Sequence, residues 1–208
     1  MRVLAFSDIH EEDAALEKLR LLSPNFDYAF ICGDISQSNI FTEAVLEAFP
    51  NGFVIPGNWD TEQVNDLLFS SSHSIHEKRV ELVDGLNAVG FGYSNPTPFG
   101  TYGELSEEEL YKRMSKLKID RNTLLMLHCP PKGYFDDVRG GLHVGSDSIL
   151  RIITEKKPLA AFFGHVHEHV GVKMLGVTTL IKLPPANEMK ACSLEITNKK
   201  INVEFITL

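Results

Sequence analysis

Val3-Leu4-Ala5-Phe6-Ser7-Asp8-Ile9-His10 is a short apolar run that ends in two residue types able to ligate a metal. Four further stretches share its build. Tyr28-Ala29-Phe30-Ile31-Cys32 leads into Gly33-Asp34, and Phe53-Val54-Ile55 into Gly57-Asn58. Thr123-Leu124-Leu125-Met126-Leu127 leads into His128, and Leu159-Ala160-Ala161-Phe162-Phe163 into Gly164-His165-Val166-His167. Short apolar runs closed by turn residues read as buried strands. In α/β sheets, ligands bind at the carboxyl ends of strands. One face of one sheet is therefore predicted to gather two Asp, one Asn and four His. Such a mixture of hard oxygens and imidazole nitrogens suits borderline divalent metals.

Working outward, the first third alternates strand and helix. Strands near 2–7, 27–32 and 53–55 are followed by helices near 11–22, 40–48 and 61–69, with Leu16, Leu19 and Leu22 on one face of the first helix. This order implies parallel strands with crossover helices. Residues 73–83 and 86–92 read as a hairpin around Asp84-Gly85. The polar run 94–100 reads as a surface loop. Ser106 with Glu109 forms a capping box for a helix to about 118. A strand at 123–127, a long loop at 128–144, a helix opened by Gly145-Ser146 and a strand at 159–163 follow. The tail is nearly all strand, at 170–175, 177–183, 191–197 and 200–206, with Asn198-Lys199 as a tight turn. Two mixed sheets face to face with helices outside would bury both apolar faces.

The 208 residues are read as one domain, 1–208, since no linker, repeat or low-complexity tract divides them. A formal charge of −8 argues against an extended nucleic-acid footprint. The cluster of Lys112, Arg113, Lys116 and Lys118 reads as a solvated helix face. No apolar stretch approaches a membrane span, and Met1–Phe6 is too short for a signal peptide. Cys32, Cys129 and Cys192 lack metal-type spacing and read as small buried hydrophobes, which places the chain in a reducing cytoplasm.

Each motif has a plain structural alternative. Asp8-x-His10 would face one side of an extended chain, but Asp8 could instead cap the next helix. Gly33-Asp34 could be an ordinary turn. Asp60 with Gln63 reads as a capping box. A lone His128 after a strand is more often structural, whereas two His at i and i+2 in a loop can face two adjacent metals. His73 and His76 lie away from any motif and read as surface residues.

Taken as a set, Asp8-x-His10, Gly33-Asp34, Gly57-Asn58-x-Asp60, His128 and Gly164-His165-x-His167 resemble the five motifs of the calcineurin-like metallophosphoesterases. The run His143-Val144-Gly145-Ser146 before a helix is similar to that of the small Icc-related phosphoesterases. The resemblance implies an α/β four-layer α/β/β/α sandwich of two mixed sheets flanked by helices. It also implies a phosphoesterase with two divalent ions, Mn²⁺ first, with Fe, Ni or Zn as alternatives. Asp8, His10, Asp34 and His167 would hold one ion. Asp34, Asn58, His128 and His165 would hold the other, with Asp34 bridging. A hydroxide between the ions would attack phosphorus, which makes Asp8, Asp34, Asn58 and His128 catalytic. His169 lies beyond the motif and is not counted as a ligand.

Two departures matter. The family usually carries His after the Asn of its third motif, where Trp59 stands here. Indole cannot transfer a proton near neutral pH, so esters with good leaving groups, phosphodiesters above all, are the expected substrates. Trp59 could stack on a nucleobase or pack under the site. His143 is the candidate to replace the missing group, next to a helix N-terminus able to bind an anion; a solvated loop His is the alternative. The second departure is Leu183-Pro184-Pro185-Ala186-Asn187, where the family often has Asn-Pro-Gly. Support for the site from that loop is therefore not expected. The expected partner is a small phosphate ester or nucleotide-like substrate, and exposed edge strands permit a homodimer. Two other classes share the fold or motifs: a protein-interaction scaffold like a retromer subunit, and a repair nuclease, which the acidic charge argues against.

Overall fold

The computed structural model describes Met1–Leu208. The strands are β1 (Arg2–Phe6), β2 (Tyr28–Cys32), β3 (Gly52–Ile55), β4 (Arg79–Glu81), β5 (Asn87–Phe91), β6 (Thr123–Leu127), β7 (Asp137–Val138), β8 (Leu142–His143), β9 (Ala160–Phe163), β10 (Gly171–Leu175), β11 (Thr178–Lys182), β12 (Lys190–Thr197) and β13 (Lys200–Thr207). The helices are α1 (Asp13–Leu22), α2 (Asn39–Ala48), α3 (Glu62–Ser70), α4 (Glu107–Met114) and α5 (Asp147–Lys156). One sheet runs β13-β12-β1-β2-β3 and the other β10-β11-β9-β6-β5-β4, with β7 and β8 forming a small separate hairpin.

Three apolar layers hold this order together. Val3, Ala5, Phe30, Cys32 and Ile55 of the first sheet meet Leu124, Met126, Ala160, Phe162 and Ile181 of the second in a shared core. The outer face of the first sheet packs on Leu16 and Leu19 of α1, Phe41 and Val45 of α2, and Val64 and Leu68 of α3. The outer face of the second packs on Leu110 and Met114 of α4 and on Ile149, Ile152 and Ile153 of α5. Every central strand is thus covered on both faces, which is why these strands read as continuous apolar runs rather than alternating ones. The result is the four-layer α/β/β/α sandwich. The strands β1, β2 and β3 are mutually parallel, as are β5, β6, β9 and β11. The three cysteines are buried and unpaired, as expected.

Helix starts follow the sequence closely. Ser38, Thr61, Ser106 and Ser146 each accept a backbone N–H three residues on. Other details differ from expectation. Asp8 caps no helix, because α1 begins only at Asp13 with Glu12 before it. Asp60 does not cap α3; Thr61 does. The reciprocal half of the capping box at Ser106 is absent, since Glu109 pairs with Lys112 at 3.2 Å instead. The helix it opens stops at Met114.

The segment predicted as the first hairpin strand contributes only β4. Residues 73–78 instead cross from one sheet to the other. Val54 N–H donates to the His73 carbonyl and Ile75 N–H to the Val54 carbonyl, while Glu77 N–H donates to the Gly90 carbonyl. This crossing carries His76 inward. It is 8% exposed, packed against Phe69, Phe91 and Tyr93, and is not a surface residue. Its Nδ1 accepts from Gly92 N–H at 2.9 Å, and its Nε2 lies 3.3 Å from the Arg113 guanidinium. Arg113 therefore leaves the solvated face assigned to it: it pairs with Glu77 at 2.8 Å and lies over the Phe91 ring.

Both His76 nitrogens face donors, so an added proton has no acceptor. Burial, outweighing the nearby Glu77 charge and aided by Arg113, pushes the His76 pKa down to about 4. The neutral form is thus the folded form. Its stability is complete above the ordinary value of 6.5 and is lost as pH falls from 6.5 towards 4. His76→Gln keeps an acceptor for Gly92 and does not titrate. In urea unfolding of metal-free protein, the stability lost between pH 7 and pH 5 should be about 2 kcal/mol smaller in His76→Gln than in wild type.

Candidate metal centre

Contrary to expectation, the seven residues do not share one sheet. Strands β1, β2 and β3 of one sheet and β6 and β9 of the other send their carboxyl ends to a common rim, because the two sheets pack face to face. There Asp8, His10, Asp34, Asn58, His128, His165 and His167 meet. They form two groups. Ligand-type atoms of Asp8, His10 and His167 lie within 4.8 Å of one another, as do those of Asp34, His128 and His165. Asn58 joins the second group, its Oδ1 2.9 Å from His128 Nε2. Asp34 lies between the two, with Oδ2 3.8 Å from His10 Nε2 and Oδ1 3.3 Å from His128 Nε2. The histidines of Gly164-His165-Val166-His167 divide, one to each group.

The backbone reaches this arrangement through left-handed turns, not the extended chain assumed for Asp8-x-His10. Asp8, His10, Asp34 and His165 have φ of 55°, 46°, 53° and 71°. Non-glycine residues rarely adopt that region, and they cluster at sites where surrounding bonds impose it. Those bonds are present. Asp8 N–H donates to the Gly33 carbonyl and His10 N–H to the Asp34 carbonyl. Asp8 in turn accepts from His165 N–H at 3.1 Å. Close approach is equally demanding, since a Cβ on Gly57 would collide with the Asp34 carboxylate and one on Gly164 with Asp8.

The fully buried Asp60 locks the second and third loops together. Its two oxygens accept from the backbone N–H of Asp34, Ile35, Ser36 and Gly57 at 3.1, 2.7, 2.9 and 2.7 Å. Burial and then the Asp34 charge push its pKa up to about 7, against the pull of the Gly57 and Ser36 bonds. With four N–H donors aimed at it, the carboxylate form is the one that satisfies the site.

Charge in the site is unbalanced without cations. Burial alone would raise the Asp8 pKa, but its bond to His167 and the His128 and Lys182 charges hold it well below the usual range. Burial would lower the His128 pKa, yet the Asp34 charge and hydrogen bond outweigh it and push it up to about 9. The geometry explains this. His128 Nδ1–H donates to the Cys32 carbonyl at 2.8 Å, so Nε2 points at Asn58 Oδ1 and Asp34 Oδ1. Three lone-pair atoms converging on one place need a proton or a cation, and a divalent ion suits that donor set. His165 is held near a pKa of about 4 by burial and then by the His128 charge, so it stays neutral and able to ligate.

Other residues fall differently. Trp59 is half-buried, sits edge-on to His10 with ring centroids 4.8 Å apart, and donates its backbone N–H to Asp34 Oδ1 at 2.9 Å. His143 lies on the small hairpin β7–β8, its Nδ1 2.8 Å from the buried Asp136 and its side chain 50% exposed. The N-terminus of α5 is not open to an anion, because Ser148 N–H already donates to Glu107 at 2.7 Å and Ile149 N–H to Ser146. His169 bonds to Asp137, outside both groups. The Pro185–Asn187 loop does brace the site, contrary to expectation: Ala186 N–H donates to the Ser7 carbonyl and Asn187 N–H to that of Asp8. Sequence reasoning missed Lys182, which is fully buried behind Asp8 and donates to the Leu183 carbonyl at 2.7 Å. Burial, opposed by the Asp8 charge, lowers its pKa to about 8. Its signal was a lone charge at the end of an apolar strand aligned with β9.

A sequence model of the family described as calcineurin-like phosphoesterase matches residues 1–169, which take in every motif of this rim. The chain belongs to that family. An uncharacterised protein of Methanocaldococcus jannaschii is 31% identical over 196 residues, spanning 89% of this chain and 88% of the relative. A protein of Colwellia psychrerythraea described as a probable cyclic nucleotide phosphodiesterase is 28% identical, spanning 76% of this chain and 63% of the relative. A crystal structure of a Thermus thermophilus protein superposes with a TM-score of 0.72 at 18% identity, covering 98% of this chain and 97% of that one. As a calcineurin-like phosphoesterase, the chain falls among phosphoester hydrolases that use divalent metals.

Asp60→Ala would leave four buried N–H groups unpaired. It should cost about 3–5 kcal/mol in denaturant unfolding and strip metal from the purified protein. A variant with wild-type stability and metal content would show that Asp60 does not hold the two loops.

Proposed function

We propose that this calcineurin-like phosphoesterase is a dinuclear metal-dependent enzyme that favours phosphodiesters over monoesters. The placement of Asp34 carries the reading: its two oxygens face different ligand groups, as a bridging carboxylate would. Asp8, His10, Asp34 and His167 would hold one ion, and Asp34, Asn58, His128 and His165 the other. When bound, such a pair neutralises charge on a phosphoryl centre and supplies a nucleophile from water. The metal we favour is Mn²⁺, with Fe, Ni or Zn as alternatives, because mixed O/N sites do not select strongly among them.

The chain's own residues set the rest. His165 N–H fixes the Asp8 carboxylate, and the Cys32 carbonyl fixes the His128 tautomer, leaving Nε2 free to ligate. Trp59, in the position where the family usually has His, cannot deliver a proton to a leaving oxygen. Aryl and nucleoside leaving groups, which depart with less help, are therefore the substrates that suit the site. The name of the Colwellia relative points the same way. We assign His143 the proton-donating role on the substrate side. Asp136 holds its Nδ1, which leaves Nε2 uncommitted to that bond, and imidazole is the side chain best suited to proton transfer near neutral pH.

Initial rates with Mn²⁺ test this reading. Chelation should abolish turnover and Mn²⁺ should restore it. An aryl phosphodiester should be hydrolysed at least about 10-fold faster than an alkyl phosphomonoester, as loss of a general acid implies; equal rates would overturn the diester preference. A metal-loaded but inert protein would favour a scaffold instead.

His143→Ala should lower kcat by about 10²-fold or more while both ions remain bound. Unchanged turnover would remove His143 from the reaction.

A further inference from the structure

Resting on that reading of Asn58 as a ligand of the second ion, we infer that Thr101, oriented by Glu104, is a positioning residue that fixes the Asn58 side chain with its oxygen towards the metal. An asparagine amide is nearly symmetric in shape, but only its oxygen can ligate, and a half-turn would aim an NH₂ group at the cation. Something must choose between the two orientations.

The choice is made on the loop between β5 and α4. Asn58 Nδ2 donates to Thr101 Oγ1 at 2.8 Å. The threonine hydroxyl has one proton, and that proton is committed to Glu104 Oε1 at 2.5 Å. Only lone pairs of Thr101 then face Asn58, so the group presented to it must be the NH₂. Glu104 is a firm anchor. It also accepts from Thr101 N–H at 2.7 Å, from the Thr97 hydroxyl at 2.6 Å and from Thr97 N–H at 3.0 Å. These bonds outweigh burial and lower its pKa to about 2, so it remains a pure acceptor. At the far end, Asn58 Oδ1 meets His128 Nε2, whose own direction is set by Cys32.

The loop cannot drift away from this task. Gly103 N–H donates to the Asn58 carbonyl at 2.9 Å, and Ser94 N–H to the Gly103 carbonyl. A Cβ at Gly103 would press on Gly57 and Asn58. The segment just past the polar run 94–100 thus reaches the metal centre through one hydroxyl.

Calorimetric titration of the metal-free full chain with Mn²⁺ separates the possibilities. Wild type should take up two ions. Thr101→Val keeps the shape and loses the hydroxyl; it should bind the first ion normally and the second about 10–100-fold more weakly. Thr101→Ser should recover most of that loss. In metal-free protein, the Asn58 side-chain NH₂ signals in an NMR spectrum should exchange with solvent faster in Thr101→Val than in wild type. If Thr101→Val does not fold, Glu104→Gln, which frees the hydroxyl to rotate, should weaken the second ion alone. Two ions bound as in wild type by the folded variants would overturn the positioning role and leave the dinuclear reading intact. Equal weakening of both ions would also overturn it, since the hydroxyl would then serve loop integrity. Wild type that takes up no ion would remove the dinuclear reading and this inference together.

Discussion

Four backbone N–H groups from two separate loops converge on one buried carboxylate, Asp60. The rim depends on that convergence. Asp34 and Asn58 follow different strands, and nothing in the sheet hydrogen bonding sets the distance between their loops beyond the last ladder rung. Asp60 sets it, and Gly57 lets the chains approach closely enough for the bonds to form. A neutral side chain would satisfy fewer donors, and a longer one would push the loops apart. The constraint is costly in isolation, because it buries a charge beside Asp34. It becomes favourable once cations offset the carboxylates around it.

Much of this was legible before the fold. The strands that end in ligand-type residues are covered on both faces, so their apolar runs are unbroken and easy to place. The starts of α4 and α5 followed from Ser106 and Ser146, whose hydroxyls cap them locally. The seven candidate ligands were legible because each follows the carboxyl end of a parallel strand. That they come from two sheets rather than one depends on how the sheets pack, which the strand pattern alone does not say.

What escaped the sequence was set by neighbours distant in the chain. His76 read as a surface residue because a crossing between sheets looks like any polar strand. Arg113 looked solvated because its partner Glu77 and the Phe91 ring come from outside its helix. Asp60 looked like a cap since a capping box and a loop clamp use the same residue types. The turns at Asp8 and His10 are left-handed, a conformation that Asp and His adopt more readily than most residues but still too rarely to read from sequence. Thr101 and Glu104 were hidden for the opposite reason, since the short stretch between the polar run 94–100 and Ser106 offers no periodicity to read.

The placement of β1 has a consequence for how the molecule is made. Its two neighbours are β2, close behind it in sequence, and β12, where Ala5 lies opposite Cys192. During synthesis, the strand bearing Asp8 therefore waits with one edge bare until residues near 190 emerge, and the brace from Ala186 and Asn187 comes equally late. Contacts so far apart in the chain slow folding and expose unpaired strand edges to association. A nascent chain of this protein thus passes through a long interval in which the thiol of Cys32 and an open β edge are accessible, a window in which chaperone capture would matter more than for the finished fold.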